Sequence, residues 1–208
     1  PFTFEKLHLK NTDIHICSFE SFIPEEYIKY LSAEENEKLN GFKSNSRKME
    51  FIASRILRHR IVGFDKIEYN EVGAPYIKGR GYISISHTHS KAALAINNKF
   101  QIGLDLEKQR ENILTLKHKF ISQEEELLFD TSDKNIVTKI WSAKEALYKL
   151  AGRKGIHFKS ELALEPINDS SWQGRITNPN HVLSVKLDIF DHQGTIISIN
   201  TAPVEQNN

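Results

Sequence analysis

The segment Gly103-Leu104-Asp105-Leu106-Glu107 places two carboxylates two residues apart. In a strand, side chains alternate, so Asp105 and Glu107 share one face while Ile102, Leu104 and Leu106 turn toward a core. Two like charges a few ångströms apart repel unless a cation or base lies between them. Magnesium suits such a pair: it takes oxygen ligands and keeps several waters, so one or two carboxylates plus substrate phosphates complete its shell. A half-buried strand with its polar side outward shows the same D-x-E pattern, so the pair alone does not choose.

Trp141 to Leu150, WSAKEALYKL, is the second such segment. On a helical wheel Glu145 and Lys149 lie one turn apart on the polar face, flanked by Thr138 and Ser142. An ordinary i, i+4 pair has the same spacing and is worth about 0.2–0.5 kcal/mol. Lys144 falls instead among Val137, Ile140, Leu147 and Tyr148, so it must snorkel outward or meet an anion such as a phosphate. In the third segment, SISHTHS, His87-Thr88-His89 lacks a nearby Cys or third His, so zinc is not expected. Ser86 and His87, at a strand end, are candidates to donate to phosphate oxygens. Gly73-Ala74-Pro75 reads as a turn.

The elements that must position these groups follow from periodicity and punctuation. FTFEKLHLKNTDIHICSF reads as two strands joined near Asn11-Thr12-Asp13. Pro24 opens a helix, and Ser32 with Glu35 forms a capping box whose helix stops near Gly41. A helix over about 45–62, ending at Gly63, buries Met49, Ile52, Ala53, Ile56 and Leu57. Arg47, Lys48, Arg55 and Arg58 form a stripe on its other side. From Lys38 to Arg60 seven basic residues stand against one acid, Glu50, which suggests an anionic partner. IEYNEVGAPYI, GYISIS, KAALAIN and FQIGLDLE read as a mainly antiparallel sheet. Ser122 with Glu125 heads a helix through Phe129, and another runs over about 135–151 to Gly152. HVLSVKLDIF and TIISINT form a hairpin, and the tail VEQNN is expected to fray. Helix-then-strands occurs before Gly103 and again after it, which suggests two α+β halves, 1–103 and 104–208.

With 208 residues, 39% hydrophobic and 26% charged, the composition is that of a globular chain. The single Cys17 excludes an intramolecular disulfide and points to a reducing, cytoplasmic compartment. No apolar run approaches the roughly 20 residues of a membrane span, and the opening PFTFEKLHLKN gives no signal-peptide expectation.

Taken in order, G-x-P, S-I-S-H, G-L-D-L-E and W-S-x-K-E-A-x-x-K resemble the surfactin-type 4'-phosphopantetheinyl transferase (holo-acyl-carrier-protein synthase) family. The resemblance spans about Lys38 to Gly152. It implies transfer of phosphopantetheine from coenzyme A to a serine of an apo acyl or peptidyl carrier protein, with release of adenosine 3',5'-bisphosphate. It implies magnesium on Asp105, Glu107 and Glu145. Coenzyme A would meet Ser86 and His87 through phosphate, Gly73, Ala74 and Pro75 near adenine, and Lys144 and Lys149 at the pyrophosphate. Lys38, Arg47 and Arg55 resemble the positions meeting the 3'-phosphate. Glu145, Lys149 and His87 are the catalytic expectation, with His87 positioning phosphate. Ala74 departs from the family, whose members often carry Lys or Arg before that proline. The implied fold is two similar α+β halves packed as a pseudo-dimer within one monomeric chain, with coenzyme A in the cleft between them. Carriers of fatty-acid, polyketide or nonribosomal peptide synthesis are the expected partners, without nucleic acid or membrane.

Three rivals share parts of this pattern. A non-catalytic coenzyme A module would bind without turnover. A nucleic-acid binder would use the Arg47–Arg58 stripe, but no aromatic stacking platform accompanies it. A phosphohydrolase would use the same carboxylates without an acceptor.

Overall fold

The computed structural model describes residues 1–71 and 73–207. Val72 and Asn208, which fall in one expected strand run and in the tail, lie outside them. The chain forms two antiparallel sheets and five α-helices among these residues.

In the first sheet, β1 (Phe2–Leu9) and β2 (Thr12–Phe19) pair over their whole length from Phe2↔Phe19 to Leu9↔Thr12. The turn between them puts Lys10 at φ 54°. Next to β2 lie β6 (Lys91–Asn97), β5 (Gly81–Thr88), β4 (Pro75–Ile77) and β3 (Glu68–Tyr69). In the second, the order is β7 (Leu104–Glu107), β11 (Thr195–Asn200), β10 (Val182–His192), β9 (Ser171–Thr177) and β8 (Leu162–Asn168), with β12 (Glu205–Asn207) also on β10.

The helices are α1 (Ala33–Asn40), α2 (Asn45–Val62), α3 (Ile113–Leu116), α4 (Gln123–Leu128) and α5 (Lys134–Leu150). Both expected capping boxes form. Ser32 Oγ accepts from Glu35 N, and Ser122 Oγ from Glu125 N, while each glutamate accepts from its serine's own N–H. Gly63 ends α2 at φ 62°.

Each sheet has a long helix on its outer face. Against α2 lie Cys17, Ala92 and Leu94, which meet Ala53 and Leu57. Beneath α5 lie Trp172, Leu187 and Ile196, which meet Ile140 and Leu147. The inner faces pack on each other through Ile14, Ile16, Ala93 and Ala95 from one sheet and Leu104, Leu106, Ile197 and Ile199 from the other. Alternating side chains thus give both faces of each sheet an apolar partner, a layering that removes most of the strand surface from water.

Three sequence expectations change. Pro24–Tyr30 is a 3-10 helix, because Ile23 gives no side-chain cap and the real cap, Ser32, stands beyond the extended Leu31. The β8–β9 hairpin lies where the sequence gives no strand signal, since Pro166 interrupts its alternation; a register irregularity between Pro166 and Asn168 accommodates it on an edge strand. Glu205–Asn207 of the tail pairs with β10, Asn207 opposite Val182.

Two measurable consequences arise here. A Cβ on Gly103 would stand 2.3 Å from Ala146 O and 2.8 Å from Leu150 Cγ, so the motif glycine lets α5 lie against β7. Gly103→Ala should therefore lower stability by about 1–3 kcal/mol in a urea melt. The Cys17 thiol is fully buried, and burial pushes it up to about 12. It should resist a thiol reagent near neutral pH and react promptly once the chain is unfolded.

Candidate active site

β7 is buried along its whole length, so the D-x-E alternation has no solvent face. Leu104 and Leu106 turn toward the first sheet as read from the sequence. Asp105 and Glu107 turn the other way, toward α5, where Ser198 is the cross-strand partner of Asp105 and Ile196 that of Glu107. β7 pairs with β11 on one side only. Its other N–H groups are met by hydroxyls of β5: Ser84 Oγ accepts from Leu104 N at 2.9 Å and Ser86 Oγ from Leu106 N at 3.1 Å. The two-residue spacing of Ser84 and Ser86 matches that of Leu104 and Leu106, which is why side chains substitute for a ladder here.

Ser86 Oγ donates its proton to Asp105 Oδ1 at 3.0 Å. Lys149 Nζ reaches the same oxygen at 3.2 Å and Leu104 O at 2.5 Å. By hydrogen-bond geometry the buried Oδ2 of Asp105 and the buried Oγ of Ser142 and of Ser198 have no partner, although the Ser142 hydroxyl lies close enough to Asp105 to favour its ionised form. Glu107 Oε1 accepts from Arg110 Nη2 at 2.6 Å and from Trp141 Nε1 at 3.0 Å. Glu145, half-buried on α5, accepts no hydrogen bond among the described residues.

All three acids are held above the ordinary carboxylate range. For Asp105, burial dominates over the opposing Lys149 charge. For Glu107, burial comes first and the Asp105 charge adds to it. Burial, then Asp105, pushes Glu145 up to about 7. Asp105 makes both glutamates harder to ionise and Glu107 adds to the effect on Glu145, so the cluster lacks a positive charge. Among the described residues no three His, Cys, Asp or Glu side chains converge tightly enough to hold a metal by themselves. The donors therefore fit magnesium in the form that shares its shell with waters and phosphate oxygens, with the orphaned Asp105 Oδ2 available to it.

A cavity of about 450 Å³ lies on the other face of β5, and none of the three acids lines it. Lys38, Arg47, Arg55, Pro75 and His87, five of the residues picked from sequence, line it together. Tyr69, Ile67, Ile83 and Ile85 give it apolar walls. Ile83, Ile85 and His87 alternate along β5 with Ser84 and Ser86, so one face of that strand serves the cavity and the other the acids. Arg55 lies 4.4 Å over the Phe51 ring and pairs with Glu35 at 3.1 Å. Arg58 also pairs with Glu35, at 3.1 Å, so the expected four-cation stripe is partly neutralised by α1. Behind His87, Glu50 Oε2 lies 3.1 Å from Nδ1.

The other expected contacts fall differently. Gly73, at φ 79°, lies against Gly152, and Ala74 is buried with its N–H on Asn70 Oδ1 at 2.8 Å; neither lines the cavity. Ser86 has its one proton committed to Asp105, so it braces the acid and has no donor for phosphate. Lys144 requires correction most. It is 0% exposed, and its ammonium donates to Phe120 O at 2.6 Å, Glu125 Oε2 at 2.7 Å and Phe158 O at 2.9 Å. All three donors are used internally, so none is left for a pyrophosphate. Trp141 and Arg110, which meet Glu107, carry no local sequence signal as site residues. Glu50 had a signal, as the one acid in a basic helix.

Residues 101–198 match the model of the 4'-phosphopantetheinyl transferase superfamily. The 4'-phosphopantetheinyl transferase HetI of Nostoc sp. strain PCC 7120 is 29% identical over 191 residues, covering 80% of this chain and 81% of HetI. The chain is thus similar to that superfamily over residues 101–198 and to HetI along most of its length. The matched segment carries Asp105, Glu107, Glu145 and Lys149. The cavity residues from Lys38 to His87 precede it, and β5 joins the two. The mixed α/β architecture of antiparallel sheets and helices agrees with the fold class read from sequence. No helix among the described residues is long and apolar enough to cross a membrane.

Proposed function

We propose that the protein transfers 4'-phosphopantetheine from coenzyme A to a serine of an apo acyl or peptidyl carrier protein and releases adenosine 3',5'-bisphosphate. One observation carries this reading: the consecutive strand residues Ser86 and His87 serve two places on opposite faces of β5, Ser86 bracing Asp105 and His87 lining the cationic cavity. A nucleotide phosphate in the cavity and a pyrophosphate at the acids would then lie within one small molecule.

In this scheme Lys38, Arg47, Arg55 and His87 hold the 3'-phosphate, and Tyr69 and Pro75 flank the adenosine. Asp105 and Glu107 would hold magnesium, with Glu145 beside them. Bound there, the ion would neutralise charge that develops on the pyrophosphate oxygens. Lys149, whose Nζ already lies on Asp105, adds a second cation for the leaving phosphate. The carrier serine Oγ attacks the β-phosphorus, the bond from that phosphorus to the bridging oxygen breaks, and the adenosine bisphosphate departs. The serine proton passes to the Glu145 carboxylate, whose pKa of about 7 suits a general base. His87 and Lys149 stabilise charge and do not take the proton.

The halves 1–103 and 104–208 form the two sides of the site as a pseudo-dimer, so one chain completes it as a monomer. The basic cavity rim and an acidic carrier would attract each other in a salt-dependent way. Carriers of fatty-acid, polyketide or nonribosomal peptide synthesis in the cytoplasm are the proposed acceptors. Chromatography of reaction mixtures tests the scheme. Adenosine 3',5'-bisphosphate should appear in equal amount with holo-carrier and only with magnesium. Its release without any carrier would point to a phosphohydrolase instead.

A further inference from the structure

The acid of the basic helix is not accounted for by phosphate binding, yet it is placed with care. Glu50 is buried on α2. Its Oε1 accepts from Ser46 Oγ at 3.1 Å, its Oε2 meets His87 Nδ1 at 3.1 Å, and Arg47 Nη1 stands 3.7 Å from Oε2. His87 lines the cavity, whereas Glu50 does not. The carboxylate thus stands behind the imidazole. A carboxylate at Nδ1 requires a proton there, which leaves Nε2 as the nitrogen for the cavity side. Among the described residues Nε2 has no hydrogen-bond partner.

We propose that Glu50 is a positioning residue that fixes the Nδ1–H tautomer of His87, so that binding a phosphate monoester in the cavity draws one proton onto Nε2. The ligand part rests on the coenzyme A reading above. A neutral Nε2 is a lone pair facing an anion, which is repulsive. Protonated, it donates to phosphate while Nδ1–H donates to Glu50, and the imidazolium lies between two anions. The groups acting on His87 are Glu50, which favours its charge, and Arg47 and Lys149, which oppose it. Lys38 and Arg55 share its cavity and oppose it too. Burial is the largest influence and holds its pKa below the ordinary value, so the ligand-free ring is neutral near pH 7. The sign follows: protons are taken up on binding, and affinity falls as pH rises. Glu50 thereby lets the site recognise the 3'-phosphate without a permanent extra cation.

Two experiments test this with the intact protein. Nitrogen-15 NMR of the ligand-free protein at about pH 7.5 should show His87 protonated on Nδ1, and a mixture of tautomers in Glu50→Gln. Dominance of the Nε2–H tautomer in the wild type would overturn the proposal, and this readout needs no coenzyme A. Calorimetry in buffers of different ionisation enthalpy should show uptake of close to one proton with coenzyme A and none with 3'-dephospho-coenzyme A. In Glu50→Gln the uptake should vanish, and the preference for coenzyme A over the dephospho form should fall about tenfold. Affinity for the dephospho form should be unchanged. Equal uptake in wild type and variant, or equal weakening of both ligands, would overturn the role of Glu50. If neither ligand binds the wild type, the coenzyme A reading fails and takes the ligand part with it; the NMR result still decides the Glu50–His87 contact.

Discussion

Replacing Asp105 by Asn should lower carrier modification about 10³-fold while the chain stays folded. The amide keeps the shape of the carboxyl, so Ser86 and Lys149 retain an oxygen in place. What disappears is the charge, and with it the buried oxygen free of any partner. Magnesium affinity, followed by manganese substitution and electron paramagnetic resonance, should fall in parallel. Stability should move the other way. Burial raises the pKa of Asp105, so above that pKa the ionised carboxyl costs the metal-free fold free energy. A neutral isostere removes that cost, so the metal-free variant should melt no lower than wild type. Function and stability would then oppose each other at this residue, as buried catalytic charges often make them do. A variant that keeps the wild-type rate at saturating magnesium would refute the role given to Asp105.

Lys144→Met should destabilise the protein by about 3–5 kcal/mol in a denaturant melt, because it leaves one partner of a buried pair behind. Glu125 is 1% exposed. Its Oε2 accepts from Ser122 N and Lys144 Nζ, and its Oε1 from Leu164 N at 3.0 Å. The pair joins the start of α4, the middle of α5 and strand β8, and Lys144 adds the carbonyls of Phe120 and Phe158. Removing the ammonium strands a buried carboxylate and two carbonyls together. Glu125→Gln should cost a similar amount, and the double variant less than the sum, since either change alone already breaks the pair. The same series judges the reassignment of Lys144. If Lys144 met the pyrophosphate, Lys144→Met would raise KM for coenzyme A and barely change the melt. A loss under about 1 kcal/mol would contradict the buried pair.

The parts of the fold that could be read from sequence are those fixed by local rules. The span of α2, its Gly63 stop, both capping boxes and the alternation of Leu104 and Leu106 against Asp105 and Glu107 are each set by near neighbours in the chain. The unread parts depend on distant ones. The edge strand β12 exists because β10 extends far enough to offer Val182–Ser184 a second partner. Lys144 shows the limit most clearly. Its position on the apolar side of α5 leaves two outcomes, snorkelling or an anion, and nothing local says that the anion is Glu125, 19 residues upstream, rather than a ligand. The sequence marks Glu125 only as a capping residue, and its remaining acceptor capacity is the signal that points to Lys144. Site residues gathered better than their roles did: Lys38, Arg47, Arg55, Pro75 and His87 meet in one cavity. Ser86 turned to Asp105 because hydroxyl direction depends on a neighbouring strand edge.

In the proposed scheme the acid cluster and the cationic cavity act on one molecule, coenzyme A, to modify a carrier. Intact-mass spectrometry of a panel of apo carrier proteins, incubated with the enzyme, coenzyme A and magnesium, tests it most directly. At least one carrier should gain a single phosphopantetheine on its serine, and chelation of magnesium or Asp105→Asn should abolish the gain. Coenzyme A binding with no mass gain on any carrier would contradict it.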